Sequence, residues 1–216
     1  MKGQTQAVTA VMITGIMIGT IAAVYVWGTP LLEKRESQAQ LDQIENDILG
    51  LKDSIQSISN SGEGAGSEME IEIDNGEVRI NETGNFIEVT TTAQASGYPE
   101  GSWTLLDGSN LQGLSFASGR YGIRGRDSTG IVAAQGDSIG TGSVTYRIEF
   151  RNLLDDSRDT PIIEVIDLEA AGAQRATGDT TISVTNVGER VDEDAFRLGT
   201  GENIDIQRSM IRVDLQ

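Results

Sequence analysis

The sequence contains no cysteine and no histidine. The first absence excludes a disulfide framework, a thiol nucleophile and any metal site built on thiolates. The second removes the commonest general base, the commonest nitrogen ligand for metals and the side chain that changes charge near neutral pH. Aromatic residues make up only 5% of the 216 residues, so any core must rest on Ile, Val and Leu. Lysine is nearly missing: Lys2, Lys34 and Lys52 stand against thirteen arginines and 33 acids. The resulting net charge of −17 excludes nucleic-acid binding through charge.

Acid excess with scarce lysine predicts a protein adapted to high salt, as in halophilic archaea. At molar salt the Debye length shrinks to about 3 Å, so this much like charge costs little there. No G-x-S-x-G, P-loop or H-E-x-x-H motif is present. The acid groups Asp155-Asp156-Ser157-Arg158-Asp159 and Asp192-Glu193-Asp194 offer oxygen ligands for Ca²⁺, but neither has the spacing of an EF-hand loop. Solvated loops are the simpler reading, and no catalytic residue, metal or cofactor is assigned. Arg120, Arg124 and Arg126 form the one basic cluster. It is read as local balance for acids rather than as a site for an anionic glycan. A glycosidase built on two carboxylates needs no histidine, but a domain with so few aromatics is a poor candidate, and the chain is read as a non-enzyme.

The longest apolar run lies at the start. No charge occurs from Gln4 to Leu32, and residues 7–27 read AVTAVMITGIMIGTIAAVYVW. A helix of 21 residues rises about 31 Å, roughly one hydrocarbon core. Tyr25 and Trp27 close it where an interfacial aromatic belt belongs. A removable secretory signal needs a shorter run and a small-residue cleavage site, which Ala22-Ala23-Val24 supplies poorly. Gly15, Gly19 and Ala23 recur every four residues, a spacing at which another membrane helix can approach closely. The positive-inside count is nearly balanced, with Lys2 on one side and Lys34 and Arg35 on the other.

The opening Met1-Lys2-Gly3-Gln4, set directly before this run, resembles the class III signal peptide of archaeal type IV pilins and archaellins. The resemblance covers about the first thirty residues. It implies cleavage between Gly3 and Gln4 by a prepilin peptidase, retention of the apolar helix as a filament core, and an N-terminus inside with the rest of the chain exported. Two features depart from it. Val8 stands where many pilins carry a carboxylate five residues past the cut, and the leader holds a single lysine.

Gly28-Thr29-Pro30 follows, and a proline inside a helix removes a hydrogen bond and crowds the preceding turn. A kink or short break is expected at 28–30. The helix then resumes with Leu41, Ile44, Ile48, Leu51, Ile55 and Ile58 at alternating spacings of 3 and 4. This narrow two-in-seven stripe favours a parallel coiled-coil seam, with Asp47 and Lys52 pairing between chains. The competing reading lays the same stripe on the chain's own β domain or on neighbouring subunits. Together residues 4–59 form one long helix of roughly 80 Å.

Residues 60–68 are a Gly/Ser-rich linker by composition. From 69 the period changes from 3.5 to 2. Met69, Ile71 and Ile73 alternate with acids, and Asn75-Gly76 then leads into Val78 and Ile80, a hairpin signal. Further strands are expected at 85–93, 102–106, 113–118, 120–124, 129–134, 143–151, 161–168, 180–186, 203–206 and 209–215, with a short helical turn at 190–198. Asn81-Glu82-Thr83 is the one N-x-[ST] sequon, at a strand end, and makes Asn81 a candidate glycan acceptor if the domain is exported. The final strand is read as closing its own domain rather than pairing with a neighbour.

The expected fold class is α+β: a leader (1–3), a transmembrane helix (4–29), an amphipathic coiled-coil-like helix (30–59), a linker (60–68) and an antiparallel all-β sandwich (69–216), with an immunoglobulin-like arrangement as one option. The expected role is a pilin-like subunit of the cell surface that associates with itself through the N-terminal helix. Its partners would be its own copies, the membrane, the prepilin peptidase and the pilus assembly machinery, and not nucleic acid. The alternative is a membrane-anchored extracellular binding module, or an accessory subunit of a pilus or archaellum machine that does not polymerise.

Overall fold

The computed structural model describes residues 2–73, 75–93, 97–108, 121–137, 142–197, 201 and 203–216, with residues 2–8 and 10 as backbone only. The fold is α+β: one long N-terminal helix, α1 (Lys2–Ser59), followed by a β sandwich. The chain divides into two compact units, Met1–Gln40 and Leu41–Gln216.

α1 is helical throughout, including 28–30, so of the kink or short break expected there the break is absent. Pro30 removes one backbone donor, and the ladder continues on both sides. The Thr29 hydroxyl donates to the Tyr25 carbonyl (2.7 Å), and the Thr20 hydroxyl does the same to Ile16 (2.8 Å). Both thus satisfy their polar groups within the helix.

The second unit holds twelve strands among the described residues. They are β1 (Gly66–Ile71), β2 (Gly76–Asn81), β3 (Phe86–Thr92), β4 (Thr104–Asp107), β5 (Gly122–Ile123), β6 (Gly130–Asp137), β7 (Ser143–Phe150), β8 (Leu153–Asp155), β9 (Ile162–Ala170), β10 (Arg175–Thr177), β11 (Thr180–Arg197) and β12 (Asn203–Leu215). One sheet runs β1-β11-β12-β9-β8-β5 and the other β10-β2-β3-β7-β6-β4. Pairing is antiparallel except for β9 with β12 and β5 with β8, which are parallel. The expected antiparallel sandwich is thus present with two parallel pairings within it, and its two six-stranded sheets depart from the seven to nine strands of an immunoglobulin domain.

The six-residue stripe of α1 is the centre of this unit. Ile44, Ile48, Leu51 and Ile55 are fully buried, and Leu41 and Ile58 nearly so. They share one core with Ile71, Ile182, Val184, Ile211 and Val213 of the first sheet and Val78, Ile87, Val132, Tyr146 and Ile148 of the second. The coiled-coil seam is therefore corrected. The chain's own sheets cover these six positions. Lys52 likewise pairs with Asp53 and Asp107 of its own chain, not with Asp47 of another. The seat is close: a Cβ on Gly130 of β6 would lie 2.8 Å from Lys52 Cγ.

The segment after the helix is a tied turn rather than a free linker. The Gly64 amide donates to the Asn186 carbonyl and the Asn186 amide to Ala65, both at 2.8 Å, and β1 begins at Gly66. The buried Asn186 also donates through Nδ2 to the carbonyl of Ile58 (3.1 Å), which accepts from the Ser61 amide as well (3.1 Å).

The Asn75-Gly76 hairpin is absent. β1 pairs with β11 and β2 with β3, so the chain crosses here from one sheet to the other. Gly76 serves a close approach instead, because a Cβ there would lie 2.1 Å from the Thr90 carbonyl oxygen. The expected helical turn at 190–198 is also absent, since β11 continues to Arg197 opposite β12. The separate strands expected at 203–206 and 209–215 are one strand, β12, which lies between β11 and β9. β8 and β10 were not anticipated, and the strand expected at 113–118 lies outside the described residues.

Candidate functional site

Three regions bear chemistry, and the first is the apolar half of α1. Thirteen large apolar side chains between Val11 and Leu32 are exposed, including Ile18 (63%), Tyr25 (75%) and Trp27 (86%). They occupy every side of the helix, so no face is covered by the protein. The helix is long and apolar enough to cross a membrane. Gly15 and Gly19 lie within it, with nothing within 4 Å of a Cβ at either position, and Ala23 is exposed. Ile18, Ile21, Ala22, Tyr25 and Val26 line a shallow apolar groove. Gly3 and Gln4 lie in the first turn, where the backbone alone is described.

The second region is a polar cleft of about 650 Å³ in the sandwich unit. It forms because the β11–β12–β9 layer changes character along its length. Near the helix, Ile166 and Leu168 of β9 and Ile211 and Val213 of β12 face the main core. Further along, Ile163, Val165, Ile204 and Ile206 form a second small core with Leu154 and Phe196. Alternation along a strand places these on the opposite face, which leaves Glu164 and Gln207, partners in register, lining the cleft. Lys52, Asp107, Arg124, Asp127 and Glu189 are its other charged lining residues.

Each charge in the cleft meets an opposite charge or an amide from the same chain. Lys52, nearly buried, bonds Asp107 and lies 2.8 Å from Asp53. Burial pulls its pKa down, but these two carboxylates more than offset it and hold the ammonium above its usual value. Asp107 is lowered, chiefly by its bond to Lys52. Arg124 bonds Glu164 and Asp155, and the Ile123 amide donates to Asp127 (2.8 Å). Arg124 therefore balances local acid, Arg126 is exposed, and Arg120 lies outside the described residues. The Ca²⁺ alternatives fare similarly. Asp155 accepts from the Ser157 hydroxyl and amide and from Arg158, bonds that hold its pKa at about 2. Asp192 bridges Arg190 and Arg208 at 2.7 Å each, and its pKa is lowered by Arg190 first and Arg208 second. Through Arg208 this bridge ties β11 to β12 just before the register shift between Asp192 and Phe196.

The third region is the outer face of the second sheet. Arg147 of β7 stacks over Phe86 (4.3 Å) and Trp103 (4.6 Å) and bonds Glu88 at 2.5 Å. Two residues along, Glu149 is 2% exposed, and its Oε2 has no hydrogen-bond partner. Burial pushes its pKa up to about 7, against the downward pull of Arg147 and Arg151. Nothing local in the sequence marks Glu149, because an acid alternating with apolar residues reads as a solvent-facing strand position. Asn81 ends β2, and its Oδ1 accepts from the Gly84 amide (2.7 Å).

No curated protein and no solved structure matches the chain. A family model does match, over residues 2–209, from the apolar helix into the last strand, and the chain therefore belongs to the family of unknown function DUF7289.

Proposed function

We propose that this protein is a pilin-like structural subunit of the cell surface. The observation that carries the reading is the uncovered apolar helix between Val11 and Leu32, which follows Lys2-Gly3-Gln4 directly. Burying a side chain of this kind yields about 1.5–3 kcal/mol, so thirteen of them amount to tens of kcal/mol. Lipid supplies that burial before assembly, and the same helix of neighbouring copies supplies it afterwards. The Gly15–Gly19–Ala23 face permits the close approach that such packing needs. With the 41–58 stripe buried in the chain's own core, self-association falls to the segment before Leu41. The partners are further copies, the membrane and a prepilin peptidase, and the acidic β unit lies outside the cell.

N-terminal sequencing of the protein recovered from cells tests this. Gln4 as the first residue is the expected result, with filaments seen by electron microscopy of the purified material. A start at Met1, or beyond residue 23, rejects the pilin reading. A second reading, a membrane-anchored binding module that does not polymerise, draws on the 650 Å³ cleft. It predicts monomers in detergent and no filaments.

A further inference from the structure

We propose that Asn81 carries an N-linked glycan whose first sugars lie along the groove beside β2 and β10. The inference rests on the exported β unit of the reading above. Asn81-Glu82-Thr83 is the sole N-x-[ST] sequence in the chain, and the fold presents it at the tip of the β2–β3 hairpin, where four residues join Asn81 to Phe86. Asn81 Oδ1 is occupied by the Gly84 amide. Among the described residues that leaves Nδ2, the atom a glycan is attached to, without a hydrogen-bond partner. Thr83 is exposed, while the intervening Glu82 accepts from the Ala170 amide (2.6 Å) and from Gln174 (3.2 Å) at the edge of the same groove. The acceptor nitrogen and the sequon hydroxyl are thus both available, and neither is used to hold the fold together.

The surroundings fit a polar, oxygen-rich group. A groove of about 330 Å³ opens beside Asn81, lined by Arg79, Ile80, Gln174 and Arg175. Arg79 and Arg175 are directly opposite each other across the β2–β10 pair. Like charges so placed repel. Their acidic partners are not tight, at 3.7 Å from Arg79 to Glu88 and 3.3 Å from Arg175 to Glu77. In a chain of net charge −17, two facing guanidinium groups beside the sole sequon supply donors for sugar hydroxyls or carboxylates. The covalent step is a transfer from a lipid-phosphate-linked oligosaccharide. Nδ2 attacks the anomeric carbon, the bond from that carbon to phosphate oxygen breaks, and the lipid phosphate leaves with the electron pair. The displaced amide proton passes to a base of the transferase.

The test uses full-length protein expressed in its native cells, in four forms: wild type, Asn81→Asp, Thr83→Ala and Thr83→Ser. Asp keeps the oxygen that receives the Gly84 amide while removing the acceptor nitrogen, so loss of the glycan is not confused with loss of the turn. Mass spectrometry of the tryptic peptide Ile80–Arg120 should show added sugar mass in wild type and Thr83→Ser. It should show none in the other two, with similar melting midpoints for all four. A wild-type peptide at its bare sequence mass overturns the inference. Protease shaving of intact cells separates the two readings. An unmodified but accessible β unit sinks the glycan alone, whereas an unmodified and inaccessible one sinks the surface placement as well.

Discussion

Residues 2–40 and 41–59 belong to one continuous helix, yet they differ in nearly every physical respect. In the first part apolar residues occur on all sides, and those from Val11 to Leu32 are exposed. In the second they are confined to one stripe, and that stripe is buried. A helix apolar all round requires an apolar environment on every side, which a single β sandwich cannot provide. A stripe requires a single apolar partner surface, and the sandwich provides one. The comparison teaches that a two-in-seven repeat states how wide a helix's buried face is, not what buries it. Here the face is also wider than the repeat, because Lys52 and Ser59 are nearly buried beside it.

The largest test of this contrast is truncation. Six buried stripe residues at about 1.5–3 kcal/mol each contribute about 9–18 kcal/mol, an upper figure that matches or exceeds the whole stability of a typical domain. A chain of residues 41–216 should therefore fold cooperatively, whereas 60–216 should not. A sharp thermal transition in 60–216 would show the helix to be dispensable and break the comparison.

Single substitutions sharpen it. Ile48→Ala should destabilise the β unit by about 2–5 kcal/mol. Ile18→Ala should move its urea midpoint by no more than about 0.5 kcal/mol equivalent, because nothing in the fold rests on Ile18. Equal effects would mean that the two parts of the helix are energetically one.

The smallest effect is proton-linked and belongs to the packed unit alone. The folded-state pKa of Glu149 is raised to about 7 from an ordinary 4.5. A group raised in this way favours the fold while protonated. Its contribution is complete below about pH 4.5 and is lost as pH rises through 7. Glu149→Gln should thus melt higher than wild type at pH 8 and close to it at pH 4.5. Parallel melting curves across that range would show that the burial of Glu149 carries no proton-linked cost.

Part of this was legible beforehand. The change of period from 3.5 to 2 after residue 59 marks the helix-to-sheet boundary, and strands β3, β6, β7 and β9 fall where alternation puts them. The stripe residues were identifiable as buried, though not their partner. The cleft was not legible, because it depends on β9 and β12 presenting apolar residues to opposite faces at their two ends. Each strand alone simply reads as alternating. Glu149 was hidden for the same reason, since alternation names two faces without saying which one is covered.

The sequence by itself determined what is local: where the chain is helical, where it alternates, which residues are too apolar for water, and where the sequon stands. The tertiary structure alone decided which surface covers which. It sent β1 to β11 instead of across the Asn75-Gly76 turn, carried β11 through to Arg197, set the heptad stripe on the chain's own sheets and buried a carboxylate. Local pattern is fixed by neighbours a few residues away, whereas the covering of a face depends on segments more than a hundred residues apart, as between Ile58 and Asn186.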